Sequence, residues 1–376
     1  MRVALDGRKL FDGGIGTYIR GLFGALAASY PRDEWILLVD PGDRGRVRWP
    51  GRVDERPVRA GKYGLLEHFA VPAAARRAGA ELLHAPHYTL PLAWRGPAVV
   101  TIHDLIHIRF AHFHRPGTAT YARFMAGMAA RRADRVIADS LATRADLESL
   151  LGTDREAIEV IPLGVSDGIQ RVGADAVARF RAERLLPEHY VLYVGARKRH
   201  KNLELLLHAW AAMHEAERPP LVLSGHAWRA DDPLAALARA LGVADVIRFA
   251  GELRDDVELS CLYSGAALLV QPSLAEGFGL PPLEAIACGV PVLASDAGAQ
   301  PEMLSGAAEL LAPQGPATWA AIVLALLSDP DRRRALAARG RVRAAEFTWA
   351  RTAARTYAVY ERVLSTRSRP GTRAPR

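Results

Sequence analysis

Cysteine is almost missing from this sequence: there are two, Cys261 and Cys288. That excludes a disulfide framework and fits a reducing cytosol, and neither cysteine has partners at zinc-ligand spacing. No apolar run approaches the about 20 residues that a membrane-spanning helix needs. The opening MRVALDGRKL reads as a charged strand rather than a secretory leader. No repeat with a period of about 20–50 residues is visible, which excludes solenoids and propellers. No signature of a nucleic-acid module is present, and no acidic pair reads as a clamp for a metal on a diphosphate.

What is present is bulk and alternation. Half of the 376 residues are hydrophobic, more than one core usually organises, so two domains are expected. The net charge of +8 is uneven: residues 1–165 hold 23 Lys/Arg against 18 Asp/Glu, residues 166–364 hold 22 against 23, and the last twelve hold four Arg and no acid. Arg44, Arg46, Arg48, Arg52, Arg56, Arg59 and Lys62 crowd one region. Such a stretch attracts anionic lipid or nucleic acid, or is simply a solvated arginine-rich loop.

Short apolar runs alternate with helical patterns. RVALD, WILLVD, ELLHAP, AVVTIHD and RVIADS read as strands, with helices such as Tyr18–Ser29 and Thr118–Arg132 between them. VLYVG, PLVLSG, VIRFAG, AALLVQPS and PVLASD repeat the alternation after residue 190. Bare runs of four to six apolar residues separated by helices imply parallel sheets covered on both faces. Two series imply two doubly wound α/β domains, with the boundary near the Pro/Gly-punctuated IPLGVSDGIQ. The expected division is 1–165, 166–346, a long amphipathic helix at 347–364 that caps the second domain or braces the first, and a disordered basic tail at 365–376.

Ligands of open parallel sheets gather where loops leave the carboxyl ends of strands, and four motifs lie at such places. FDGGIGTY follows the first strand; Gly13, Gly14 and Gly16 let backbone approach a ligand, and the following helix N-terminus favours an anion. The dinucleotide fingerprint wants a third glycine where Ile19 stands, although Asp40, ending the second strand, mimics a ribose-binding acid. TIHDL sets His103 and Asp104 at a strand end, as a site pair or as a hydrogen-bonded rim. YVGARKRHKN crowds Arg197, Lys198, Arg199, His200 and Lys201 between Gly195 and a helix. Cations there oppose the helix dipole, unless a diphosphate lies between them, held by an Arg fork and a Lys point charge. A solvated charge run is the plain alternative.

The fourth is SLAEGFGLPPLEA. A helix is expected from Pro281–Pro282, since proline suits a first turn, with Gly289 ending it. Glu276 then lies on the loop and Glu284 in the first turn. Gly277 and Gly279 leave amides unshielded, Glu276 suits sugar hydroxyls, and Glu284 suits the adjacent hydroxyls of a ribose, or merely stabilises the dipole. A turn alone needs neither glutamate.

Glu276 and Glu284 stand in the E-x7-E spacing, and EGFGLPPLEA resembles, almost letter for letter, the motif of retaining glycosyltransferases of family 4. VGARKRHKN is similar to that family's donor-phosphate loop, GGIGTY to its acceptor-side glycine loop, IPLGV to its interdomain segment and TWARTAARTYAVY to its closing helix. The resemblance spans about Met1 to Leu364, and its flavour is that of bacterial mannosyltransferases of surface polysaccharide synthesis. It implies a GT-B fold: two Rossmann-like domains, a cleft between them, and a C-terminal helix crossing back to the first domain. It implies a donor site of Gly195, Arg197, Lys201, Glu276, Gly277, Phe278, Gly279, Leu280 and Glu284, with Glu276 on the sugar, Glu284 on the ribose, and Arg197 and Lys201 on the diphosphate. It implies an acceptor side of Gly13, Gly14, Gly16 and Asp104, and a catalytic set of His103, Glu276, Arg197 and Lys201. Many relatives carry arginine where Ala196 stands and another where His200 stands, so Arg197 and Arg199 compete for the second phosphate role.

The activity so implied is transfer of a sugar from a nucleotide diphosphate sugar, GDP-mannose favoured, to a glycan or lipid-linked acceptor hydroxyl. Configuration is retained, and no metal or other cofactor is required. Cations and loop amides meet the charge growing on the diphosphate, and the leaving phosphate takes the acceptor's proton. The implied setting is the cytoplasm, at the inner face of the membrane as a peripheral protein, with no nucleic acid partner. An NAD(P)-dependent oxidoreductase would explain GGIGTY and Asp40 alone; a non-catalytic nucleotide- or sugar-binding protein would bind without turnover. A glycosidase is disfavoured, because its two carboxylates must flank one bond.

Overall fold

Each bare apolar run became a strand in the computed structural model, which describes residues 1–229 and 231–367. The chain divides into two compact units, Met1–Gly164 with the chain from Thr348, and Val165–Phe347.

The first unit carries seven strands: β1 (Arg2–Asp6), β2 (Glu34–Val39), β3 (Val53–Pro57), β4 (Leu82–Ala85), β5 (Ala98–Ile102), β6 (Arg135–Ala138) and β7 (Ile158–Val160). They form one sheet in the order β3-β2-β1-β4-β5-β6-β7. Every pairing is parallel, with Val3 opposite both Trp35 and Leu82, and Thr101 opposite Ile137. Chain order reverses direction between β1 and β4, the switch point where loops diverge and leave room for a ligand. Leu83, Val100 and Val136 are fully buried against Val71, Ala126 and Leu147 from the covering helices. Strand β3 was not expected: VDERP is mostly charged, which only an edge strand tolerates.

Two elements differ from the sequence reading. The first helix begins at Gly13, not Tyr18, so the three glycines form its first turn and not a loop before it. Gly13 enters at φ +49°, and a Cβ on Gly16 would stand 2.6 Å from the carbonyl oxygen of Leu10. The close approach therefore requires glycine at position 16 for packing. The last helix runs Trp349–Arg367. Thr348 caps it, its hydroxyl accepting from the Arg351 amide at 3.3 Å. Phe347 is excluded from the helix because its carbonyl accepts from Val165 N at 3.0 Å, within the second unit. Ser365, Thr366 and Arg367 are helical rather than disordered; the rest of the expected tail, 368–376, lies outside the described residues.

That last helix is bound tightly to the first unit. The Trp349 ring fills the space over Gly21, where a Cβ would meet it at 2.1 Å. Tyr357 stacks on Tyr30 at 3.6 Å and donates to Asp33 at 2.8 Å. Tyr360 is fully buried, 2.6 Å from Nδ1 of His84, whose Nε2 lies 2.8 Å from the Thr101 hydroxyl. Burial pushes His84 down to about 3, so the ring is neutral and serves as a structural relay.

The second unit carries β8 (Val191–Tyr193), β9 (Leu221–Leu223), β10 (Ile247–Phe249), β11 (Leu268–Gln271), β12 (Val292–Ser295) and β13 (Glu309–Leu311). Their order is β10-β9-β8-β11-β12-β13, again all parallel. Trp210 and Trp319 fill the core on one face of this sheet. The switch falls between β8 and β11, and the loops leaving those two strands are VGARKRHK and PSLAEGFG.

Candidate active site

Topology brings the cation loop and the carboxylate loop side by side, because β8 and β11 are neighbours at the switch. Lys201 Nζ lies 2.7 Å from each carboxylate oxygen of Glu276. Ser273 Oγ donates to Glu276 Oε1 at 2.6 Å, and Gln271 Nε2 to the same oxygen at 3.2 Å. Only 8% of Glu276 is exposed. Burial opposes its ionisation, yet the Lys201 charge and the hydrogen bonds from Lys201, Ser273 and Gln271 outweigh that and hold the carboxyl below its ordinary value. Glu276 is thus an anchored carboxylate, and Lys201 a cation whose counter-charge is a group a ligand can also engage.

Backbone braces this pair. Leu274 N donates to the carbonyl of His200 at 2.8 Å, joining the two loops. Asn202, at φ +57°, donates to the carbonyls of Pro272 and Pro313, each at 3.1 Å. Gly298, at φ +60° on the loop after β12, lies under Glu276: a Cβ there would stand 2.6 Å from Glu276 N, and Ala299 N donates to Glu276 O at 3.0 Å. None of Gln271, Asn202 and Gly298 was singled out from sequence. The signal available for Gly298 was its place just beyond strand VLAS; a long-range contact gave it meaning.

Glu284 belongs to a second set of contacts. The helix starts at Leu280, one residue before the two prolines, with Gly279 at φ +100° as its cap. Glu284 therefore lies one turn into the helix, not in its first turn. Its Oε2 accepts from the Tyr263 hydroxyl at 2.7 Å. Burial raises its carboxyl to about 7, against the lowering effect of Tyr263 and with a further push from Asp256. A half-buried carboxyl holding one phenol hydrogen bond keeps a free oxygen for a hydroxyl donor.

The remaining donor-side residues divide by exposure. Arg197 is substantially exposed and ion-paired with Asp232 at 3.5 Å. Arg199 and Lys201 share the short turn Arg199–Lys201. Gly195 N donates to Ser224 Oγ at 3.2 Å, and a Cβ at Gly195 would meet the Tyr193 hydroxyl at 2.8 Å. Phe278 is buried with its ring edge-on to Phe347 and anchors the loop; Gly279 is buried as well, and Gly277 and Leu280 are half-buried. Asp40 accepts from Gly42 N at 3.1 Å and caps a local turn, which accounts for it without a ribose.

In the first unit, Gly13 and Gly14 are exposed, with open space around both. His103 lies at the end of β5, mostly buried. Its Nδ1 is 2.6 Å from Asp139 Oδ2, its Nε2 is 3.0 Å from the carbonyl of Pro86, and the Tyr18 ring meets it edge-on at 4.8 Å. Burial works against charging this ring, but Asp139 overcomes it and raises the imidazole above its ordinary value. Asp104 accepts from Ile106 N at 3.0 Å, starting the next helical turn. Asp139, in RVIADS, was read only as the end of a strand. Among the described residues, no three His, Cys, Asp or Glu side chains cluster as metal ligands, and no helix is long and apolar enough to cross a membrane.

Comparison with known proteins places the chain among glycosyltransferases. The sequence profile described as Glycosyltransferase Family 4 matches residues 12–168, and that of Glycosyl transferases group 1 matches residues 177–343. The chain is 30% identical over 283 residues to O-antigen chain mannosyltransferase B of Escherichia coli, covering 74% of each. It is 34% identical over 286 residues to a D-inositol 3-phosphate glycosyltransferase of Thermobispora bispora, covering 72% of this chain and 66% of that one. In structure it is similar to a sucrose-phosphate synthase from Thermosynechococcus elongatus, with a TM-score of 0.80, 25% identity, and coverage of 97% and 100%. It also matches Anabaena HepE in complex with UDP and glucose, with a TM-score of 0.76, 20% identity, and coverage of 96% and 99%.

Proposed function

Because the chain belongs to glycosyltransferase family 4 and has the GT-B fold, we propose that it is a retaining, metal-independent transferase acting on a nucleotide diphosphate sugar. Mannose carried on GDP is the favoured donor, and a glycan or lipid-linked hydroxyl is the acceptor. The observation that carries this reading is the Lys201–Glu276 pair at the switch point of the second sheet. In the free protein each satisfies the other. With a donor bound, the ammonium turns to the diphosphate and the carboxylate accepts sugar hydroxyls. One such preorganised donor is worth about 2.7–4 kcal/mol to a developing oxyanion. The amides of Gly277 and Gly279 assist at the start of the helix. Arg197, ion-paired with Asp232, and Arg199 are the two candidates for the second cation. Glu284 takes the ribose hydroxyls, and His103, from the first unit, takes the role that the family implies on the transferred sugar.

Mannose rests on the likeness to the E. coli enzyme; the inositol phosphate relative keeps a soluble polyol phosphate as a second acceptor class. HepE's complex with UDP supports a nucleotide diphosphate carrier without fixing the base. Asp40's local role removes one of the two features that had favoured a nicotinamide enzyme. The decisive measurement is a donor-hydrolysis screen across GDP-, UDP- and dTDP-sugars without acceptor. Turnover of GDP-mannose above the others is expected. Binding of nucleotide with no hydrolysis, and no transfer to any acceptor, would leave a binding protein instead.

A further inference from the structure

His103 is bracketed by two hydrogen-bond acceptors. A backbone carbonyl cannot donate, so the Pro86 contact at 3.0 Å requires a proton on Nε2. An ionised carboxylate cannot donate either, so the 2.6 Å contact with Asp139 requires a proton on Nδ1. Two acceptors and two ring nitrogens need two protons. A neutral imidazole satisfies both only if Asp139 holds the second proton; burial raises the Asp139 carboxyl toward that state while His103 opposes it, and imidazole is ordinarily the stronger base by roughly 2.6 units.

From this geometry we infer that Asp139 is a positioning residue that keeps His103 as an imidazolium, so that the ring serves the reaction as a fixed hydrogen-bond donor and positive charge and never as its proton acceptor. The inference rests on the transferase reading above for its link to the reaction, while the charge state stands on the two contacts together with the greater basicity of imidazole. Asp139 is 1% exposed and sits just beyond the end of β6, the sheet neighbour of β5, so strand pairing fixes its distance to His103. The Thr143 hydroxyl donates to the carbonyl of His103 at 2.9 Å, and Ser140 caps the helix Leu141–Leu151 to which Thr143 belongs, so both backbones are held. Other titratable groups near the ring are Asp104 beside it, Tyr18 from the first helix, and His84 and His87 from β4 and its loop. Asp104 adds to the attraction. His84 is neutral in its own relay.

A ring with both protons committed cannot accept the acceptor hydroxyl's proton, so that proton goes elsewhere; the leaving phosphate oxygen on the same face is the available base. What His103 offers is the Nε2–H now directed at Pro86, which an electron-rich oxygen of the sugar can share.

The test is nitrogen-15 NMR of the full-length protein with labelled histidine, at about pH 7.5, roughly a unit above the ordinary imidazole value. His103 should show both ring nitrogens protonated, and Asp139→Asn should convert it to a neutral ring while the Tyr360-linked His84 resonance stays in place. A neutral His103 in the wild type overturns the inference, whether or not the variant folds. The second readout is the pH profile of GDP-mannose hydrolysis, with UDP-glucose as a parallel arm. Asp139→Asn should lower kcat by about 10²-fold and move the alkaline limb to lower pH, with KM little changed; Asp139→Glu should recover part of both. An unmoved limb in a variant whose ring has become neutral would also overturn it. Failure of the wild type to hydrolyse either nucleotide sugar, by contrast, strikes at the transferase reading and leaves the NMR result intact.

Discussion

Lys201 reaches both carboxylate oxygens of Glu276 at 2.7 Å, across two loops that leave adjacent strands. Each residue satisfies a charge the other would leave buried, so truncating one alone should cost about 3–5 kcal/mol of stability. The Lys201→Ala/Glu276→Ala double variant should lose less than the sum of the single ones in urea melts. Function should divide differently. Glu276→Ala should lower turnover by about 10²–10³-fold. Lys201→Ala should weaken binding of GDP or UDP far more than of the corresponding nucleoside in calorimetry. Equal weakening of both would remove Lys201 from the phosphate site.

The second sheet's site was legible because each of its groups stands where a bare apolar strand ends, so Lys201 and Glu276 could be placed without knowing any contact. Their companions were not. Gly298 is needed only because the loop after β12 runs beneath Glu276, and Asn202 because two distant carbonyls converge on it. Arg197 read as a phosphate ligand, and its pairing with Asp232, from a loop far along the chain, could not be read beside that role. Strand β3 was concealed by its own charges, since edge position, not composition, permits it. Asp139 looked like part of a strand terminus; only the β5–β6 pairing turns it toward His103.

Glu284 should leave a mark on stability against pH. Its carboxyl is raised to about 7 in the folded protein, chiefly by burial. A raised acid binds its proton more tightly when folded, so stability falls as pH climbs from the unfolded value, near 4.3, through about 7. Glu284→Gln, which keeps the acceptor for Tyr263, should therefore stabilise the protein at about pH 8, by about 1–3 kcal/mol, and make little difference at about pH 4. Melting curves at both pH values decide it. An effect of the same size at both would mean that the carboxyl is not shifted.

Gly298 offers a test of how rigidly Glu276 is held. Alanine there faces two penalties: a left-handed φ of +60° and a Cβ placed 2.6 Å from the Glu276 amide. The backbone strain alone costs about 1 kcal/mol, and the clash must be relieved by moving Glu276. Gly298→Ala should thus reduce stability by about 2–4 kcal/mol and lower kcat for donor hydrolysis about as much as a direct lesion would. Gly306→Ala, at φ +69° but with open space around it, is the control: it should show the backbone cost without the loss of kcat.

The helix Glu67–Arg77 turns Glu67, His68, Val71 and Ala75 inward, and Glu67 is bound to Arg8 at 3.0 Å. Outward, at and before its start, Leu65 is 84%, Leu66 60% and Phe69 64% exposed. Large apolar side chains bared together mark a binding surface, and exposed Arg59, Arg76 and Arg77 lie close in sequence on either side. Apolar groups flanked by cations suit an anionic bilayer, where the rings and methyls enter the interface and the guanidinium groups meet headgroups. The protein should co-sediment with vesicles containing phosphatidylglycerol, much less with phosphatidylcholine alone, and binding should weaken as salt rises. Burying one Leu or Phe is worth about 1.5–3 kcal/mol, so Leu65→Ser/Phe69→Ser should weaken vesicle binding by at least about 10²-fold. Hydrolysis of a nucleotide sugar free in solution should be unchanged, because these residues lie outside the donor loops. Undiminished sedimentation by the double variant would show that the charges alone make the contact and that the apolar face serves something else.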